Sequence, residues 1–301
     1  MARLYSIAVD PTCRKSGVAK TLVAAGEEKA LEHDCISMRL EIRVDNIPSI
    51  RLFESLGYSQ FGHYLKYYED EADAIRLEKR LIQNLSANFS PVPYYQQTLD
   101  FTCGAASLLM AMKALDQHVE LSRNLEIQLW REANTIFMTS GHGGCGPFGL
   151  ALAAHHRGFE VAVYVKTKET FFIDSVRNED KKEVIRLVEN NFLSEIKHEG
   201  IALHYRVVNT QEIIAALEEG AIPVILISSY RLYNEKAPHW VVITGHDKHF
   251  FYFHDPYIDE EKGKNMTDCI NMPISQPEFE RMARYGKSGQ RAALILYPKD
   301  R

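Results

Sequence analysis

The sequence predicts an α/β segment followed by a separate α+β domain, and three observations carry that reading. Over residues 1–85, short β-rich runs alternate with amphipathic helical repeats. Residues 86–93, Ser-Ala-Asn-Phe-Ser-Pro-Val-Pro, have the turn-forming composition of a linker. From residue 94 to 301 the front is helix-rich and the back strand-rich, an order that suits α+β better than a doubly wound sheet. A chain of 301 residues has room for two domains, at roughly 100–200 residues each. Its composition, 46% apolar and 25% charged, excludes disordered and low-complexity classes. The net charge is −5, and residues 1–90 carry 12 basic against 13 acidic side chains. No positive field therefore points to nucleic acid or an anionic membrane as partner.

The elements follow in order. Tyr5–Val9 is β-rich and ends before Pro11, and residues 17–33 repeat apolar side chains at helical spacing. Ser37–Arg43 alternates Met38, Leu40 and Ile42 on one face. Residues 48–56 form a short helix, with Pro48 near its start and Gly57 beyond its end. Phe61–Tyr68 reads as a strand, while residues 73–85 fit strand and helix equally. In the second part, Cys103–Leu115 is an Ala/Leu/Met helix. Residues 178–199 are amphipathic and precede Gly200, and residues 210–219 are closed by Gly220. Residues 222–228, 240–244 and 250–254 read as successive strands separated by turns.

Two groups of residues carry chemistry. The first is Arg14-Lys15-Ser16-Gly17-Val18-Ala19, lying between a strand and a helix. The first N–H groups of a helix lack partners and favour an anion, and glycine lets the backbone approach it closely. With Leu40-Glu41-Ile42-Arg43-x-x-Asn46 and Leu52-Phe53-x-x-Leu56-Gly57-Tyr58, this order closely resembles the acetyl-CoA half of the GNAT acetyltransferases over residues 3–82. The resemblance implies that residues 14–19 hold the pyrophosphate of acetyl-CoA and that Asn46 lies near its pantetheine arm. It also implies that Glu41 is a general base, as in the ribosomal-protein acetyltransferase branch. Phe53 stands where that family has a proton-donating tyrosine, so Tyr58, Tyr67 and Tyr68 are the candidate substitutes. Residues 1–85 are expected to be a partial GNAT domain, lacking its acceptor-side strands.

The second is Gln97-x5-Cys103-Gly-Ala-Ala, with Cys103 in the first turn of its helix. A helix start supports an anionic sulfur, and the Gln97 side-chain amide can add an oxyanion donor. A nucleophile needs a base and the base an orienting group. His239 opens one strand and Asp255 closes the next; two antiparallel strands bring those ends together across 16 residues of sequence. Singly, each has an ordinary reading: a core cysteine, a capping glutamine, an edge histidine, an Asp-Pro turn. Their order resembles the bacteriocin-processing cysteine peptidases that cut after double-glycine leaders, over residues 91–297. The likeness extends to stand-alone relatives fused to GNAT-like segments. The interval of 136 residues from Cys103 to His239 also suits papain-type enzymes. The resemblance implies a papain-like fold with Cys103 as nucleophile, His239 as base and acid, Asp255 as orienting carboxylate and Gln97 as oxyanion donor. The substrate would be a peptide or protein, with no cofactor for this domain.

Other features weigh less. Residues 139–148 hold four glycines with His142 and Cys145, and could form a cleft wall. No His/Cys pair there has a metal-ligand spacing, so no metal is expected. Five scattered cysteines without a Cys-x-x-Cys pair suit reduced thiols in the cytoplasm. No signal peptide is visible, and apolar runs such as Ile222–Ile227 fall far below the ~20 residues of a membrane helix. Three functions stay open at this point: a cytoplasmic cysteine peptidase or amidase, an N-acetyltransferase whose C-terminal part recognises the acceptor, and a non-catalytic peptide-binding module.

Overall fold

Alternating apolar residues make a strand only when a neighbouring strand takes up its hydrogen bonds, and this condition decides which sequence expectations hold. A computed structural model describes residues 2–33, 35–81, 87–134 and 143–298. The chain divides into two compact units, Met1–Ser86 and Ala87–Arg301.

The first unit has β1 (Ala2–Arg3), α1 (Val18–Glu32), β2 (Ser37–Arg43), α2 (Ile47–Ser55), β3 (Ser59–Tyr64) and β4 (Ala74–Arg80). Its sheet runs β1-β2-β4-β3, with β1 parallel to β2 and the other pairs antiparallel. The expected strand Tyr5–Val9 is not formed. Only Ala2 and Arg3 pair with β2, and Leu4–Ile7 line a cavity of about 270 Å³ facing Leu40–Arg43. Here the chain parts from β2, and no other strand among the described residues replaces it. The ambiguous segment is β4, because β2 and β3 both supply ladder partners. Val23, Met38, Leu40, Ile42, Phe53 and Leu77 form the core of this unit.

The second unit begins within the expected linker: Asn88–Phe89 form β5 and pair with the end of a later strand. After it come α3 (Cys103–Leu115), α4 (Arg123–Ala133), α5 (Pro147–His155), β6 (Glu160–Val165), α6 (Glu179–Glu199), β7 (Ala202–His204), α7 (Thr210–Glu218) and β8 (Ile222–Ser228). The chain continues with α8 (Tyr230–Tyr233), β9 (Pro238–His246), β10 (Phe250–His254), α9 (Met266–Cys269), β11 (Met272–Ser275), α10 (Gln276–Met282) and β12 (Ala292–Tyr297). The sheet order is β11-β10-β9-β8-β12-β6-β7, antiparallel except for β6 with β7. The whole is mixed α and β, as the sequence predicts.

Both faces of this sheet are covered, which explains why β8 is apolar up to its last residue, Ser228. Val224, Leu226, Trp240, Val242, Leu294 and Leu296 face α3, α4 and α5. Ile225, Ile227, Val241, Ile243, Ala293 and Ile295 face α7 and α10. Helix ends follow local rules: Asn178 caps α6, Gly200 leaves it at φ +69°, and Asn209 and Glu212 form a capping box on α7. Among the described residues no helix is long and apolar enough to cross a membrane.

At one helix contact there is no spare volume. A Cβ on Gly149 of α5 would stand 2.6 Å from the Cα of Ala133 on α4, and backbone there cannot yield. Gly149→Ala is therefore expected to destabilise the protein by about 1–3 kcal/mol, the range for overpacking, in urea unfolding of the intact chain.

Candidate active site

Helix α3 starts against β9. Ser107 Oγ donates to the carbonyl of Trp240 at 3.0 Å, and Trp240 Nε1 donates to the carbonyl of Cys145 at 3.0 Å. Gly104 makes this close seat feasible, since a Cβ there would lie 3.0 Å from both Cys145 and Trp240. Cys103, one residue earlier, thus reaches the end of β9 that carries His239. The turn that returns the chain to β10 is built by Asp247, whose Oδ1 accepts from the N–H groups of His249 and Phe250. Asp255 follows the last ladder pair, His254 with Val242, and so stands beside His239.

Asp255 is fully buried and its carboxylate is saturated. Oδ1 accepts from His239 Nε2 at 2.6 Å and from the N–H of Tyr257 at 2.9 Å, while Oδ2 takes the Tyr233 hydroxyl. With Nε2 so engaged, the ring's other nitrogen is left for Cys103, whose side chain interacts with His239 and lines the same cleft. Burial alone would lower the His239 pKa. The charge and hydrogen bond of Asp255, then the Cys103 contact, prevail and raise it to about 10. For Asp255 burial pushes up, but His239 and the hydrogen bonds from Tyr233 and Tyr257 hold it below its ordinary value.

The segment leading into α3 is fixed by a carboxylate that sequence reasoning missed. Glu126 of α4 has no exposure, and its oxygens accept from Tyr95 Oη at 3.0 Å, Thr98 N at 2.9 Å, Thr98 Oγ1 at 2.6 Å and Thr102 Oγ1 at 2.5 Å. Its signal in the sequence was a charge on the stripe shared with Leu129 and Ala133. At the segment's far side, Gln97 N donates to the carbonyl of Pro256 at 2.9 Å, tying it to the residue after Asp255. Gln97 Nε2 donates to the carbonyl of Leu99 at 2.9 Å, and its buried Oε1 has no donor. Cys103, His239 and Gln97 line one cleft of about 620 Å³, with Tyr233 and Tyr257 on its walls. All four residues singled out in the sequence are thus close neighbours. Tyr233, on a helix of four residues, had no sequence signal.

Residues 92–297 match the Peptidase_C39 like family. The chain belongs to that family. Its N-terminal residues 1–58 match the Acetyltransferase (GNAT) family. There the chain is 38% identical over 71 residues to "N-alpha-acetyltransferase 30" of Dictyostelium discoideum, covering 24% of this chain and 38% of that protein. It is 31% identical over 67 residues to "[Ribosomal protein bS18]-alanine N-acetyltransferase" of Escherichia coli, covering 22% of this chain and 45% of that protein. The solved structure of Ard1 from Thermoplasma volcanium is 30% identical over 27% of this chain and 55% of that one, with a TM-score of 0.26. The chain therefore spans less than half the length of these two curated relatives.

The GNAT-matching unit gathers only part of its expected site. Gly17, at φ +91°, caps α1 with open space where a Cβ would be, and no side chain caps the helix. Asn46 lines the 270 Å³ cavity with Glu41, Phe53 and Tyr68, but none of Arg14, Lys15, Ser16, Gly17, Val18 and Ala19 does. Glu41 is clasped by Arg3 at 2.8 Å and Arg76 at 3.5 Å. Of the three substitute tyrosines, Tyr68 lines the cavity, whereas Tyr58 is buried and donates to Glu27 at 3.0 Å.

In the peptidase-like unit, the glycine-rich stretch is not a cleft wall where it is described. Gly143 accepts from Trp130 Nε1 at 2.8 Å, and Cys145 is buried beneath α3. His142 lies outside the described residues. His254, in the last position of β10, has both nitrogens occupied, with Nε2 on the Val92 carbonyl and Nδ1 accepting from Asn271 N. Burial brings its pKa down to about 4, so the ring is neutral.

The Glu126 hub has a direct test. Glu126→Gln turns an amide NH₂ toward donors that need an acceptor. It is expected to cost about 1–3 kcal/mol, the range for a buried donor left unpaired, in urea unfolding.

Proposed function

We propose that residues 87–301 form a papain-like cysteine peptidase or amidase, working in a reducing cytoplasm on a peptide or protein. One observation carries this reading: a buried His239–Asp255 pair whose histidine lines one cleft with Cys103 and interacts with it. The family match and the free state of all five cysteines support it.

The steps follow from the geometry. With its pKa raised to about 10, His239 is an imidazolium at rest and Cys103 attacks as the thiolate paired with it, Sγ bonding to the carbonyl carbon of the scissile amide. The oxyanion is met by the N–H of Cys103, which has no helical acceptor in the first turn, and by the free Nε2 hydrogen of Gln97. As the C–N bond breaks, His239 gives its proton to the leaving amine, leaving an acyl thioester on Cys103. Water attacks with its proton going to His239, and the C–S bond breaks to release the sulfur as a thiolate beside the imidazolium. An amine in place of water gives transpeptidation by the same steps. Asp255 keeps the ring oriented and stabilises its cationic form.

Iodoacetamide with mass-spectrometric site mapping tests the nucleophile. Cys103, buried, is expected to alkylate faster than exposed Cys13 and buried Cys269, and His239→Ala is expected to remove the advantage. Equal rates would refute the reading. Because His239 titrates at about 10, it holds the amine's proton below that pH and lacks it above. Turnover of any peptide substrate is therefore expected to fall as pH rises through about 10.

A second reading concerns CoA, and one observation favours it: the uncapped start of α1 behind Gly17. Residues 14–19 and Asn46 would hold acetyl-CoA, which supplies an activated acetyl group when bound. The clasp of Glu41 by two guanidiniums does not suit a free base. Calorimetry of the intact chain with CoA is expected to show binding that Gly17→Glu weakens about tenfold by placing an anion at the helix start. Absence of heat would remove the reading.

A further inference from the structure

Among the described residues, the charged side chains that line the Cys103 cleft, His239 aside, are all carboxylates. Asp100 comes from the segment before α3, Glu235 from the turn between α8 and β9, and Glu260 and Glu261 from the stretch after β10. All four are exposed, and none makes an ion pair among the described residues. Among the described residues no lysine or arginine lines the cleft. Two nearby cations lie against aromatic rings: Lys264 Nζ 4.2 Å from the centroid of the Tyr233 ring, and Lys236 Nζ 5.9 Å from that of Tyr230. The carboxylates share one field, felt at the Tyr257 hydroxyl on the cleft wall. Burial raises its pKa first, then Asp259, Asp100, Glu235 and Glu261 add to the rise.

An independent observation points to a ligand with N–H donors. Gln97 is 7% exposed and lines the same cleft, yet its Oε1 has no partner. Its orientation is settled, because Nε2 donates to the Leu99 carbonyl and a flipped amide would set two oxygens together. A buried acceptor without a protein donor takes its hydrogen bond from water or from an N–H that arrives with a substrate.

We infer that the cleft selects peptides carrying lysine or arginine beside the bond that Cys103 attacks, with Asp100, Glu235, Glu260 and Glu261 as the recognising groups. This rests on Cys103 being the nucleophile. Acidic peptides would meet four unneutralised carboxylates and be turned away by repulsion as well as by lack of a partner.

The intact chain is tested with matched tripeptidyl chloromethyl ketones, each with one Lys or one Glu in an alanine background. Cys103 alkylation is followed by mass spectrometry. At low ionic strength at least one Lys probe is expected to react about tenfold faster than its Glu counterpart, and added salt should shrink the ratio. Glu235→Gln/Glu260→Gln/Glu261→Gln is expected to bring the ratio close to one while leaving the rate with neutral iodoacetamide unchanged. Equal Lys and Glu rates at every position, with His239-dependent iodoacetamide labelling intact, would overturn the charge selection and leave the nucleophile standing. Loss of that labelling would overturn both. A ratio unchanged in the triple variant would overturn the assignment to these carboxylates.

Discussion

One carboxylate with no access to water, Asp255, holds the candidate active site together. An ionised group at that depth is tolerable only with its lone pairs filled, and the fold supplies an imidazole, a phenol and a main-chain N–H. Each of those donors comes from a different piece of chain: β9, α8 and the segment after β10. Their mutual positions are set by the need to satisfy the charge. The same demand makes the imidazole cationic and fixes which ring nitrogen remains for Cys103.

The cysteine side is built by the same principle with a different residue. Glu126 gathers donors from the eight residues before Cys103, so the chain entering α3 is shaped by a buried charge rather than by apolar packing. The hydrogen bond from Gln97 to Pro256 links these two carboxylate-centred assemblies. Trp240 and Ser107 lock helix to strand between them. The proposed nucleophile, base and oxyanion donor are therefore held by elements that share hydrogen bonds as well as a core, which is how a site keeps the sub-ångström tolerance that chemistry requires.

The first unit shows what the same residue types look like without such an arrangement. Glu41 is also a strand carboxylate at a cavity, but two arginines neutralise it directly. Its environment suits a structural ion pair, whereas that of Asp255 orients a second titratable group toward a third. Acidic residues recur at the peptidase-like cleft in yet another state, exposed and without an ion pair among the described residues, where their proposed role is to act on what approaches from solvent. Three environments give one functional group three roles.

Local rules in the sequence determined the helices α3, α6 and α7 and the strands β2, β8 and β10, because capping residues and apolar periodicity act within a few neighbours. They also determined the neighbourhood of Cys103, His239, Asp255 and Gln97, since one short antiparallel turn and one helix start leave few alternatives. Tertiary structure alone decided the rest. Tyr5–Val9 has strand composition but diverges from β2, and residues 74–80 are a strand only because two partners flank them. Asn88–Phe89, with linker composition, pair with β9 where Gly245 leaves room for them. Glu126 and Tyr233 act through partners 22 to 31 residues away in sequence, a distance over which no local pattern reports what a buried oxygen will meet. The acidity of the cleft was equally invisible: a net charge of −5 is an average over the chain, and only folding places four of its carboxylates around one thiol.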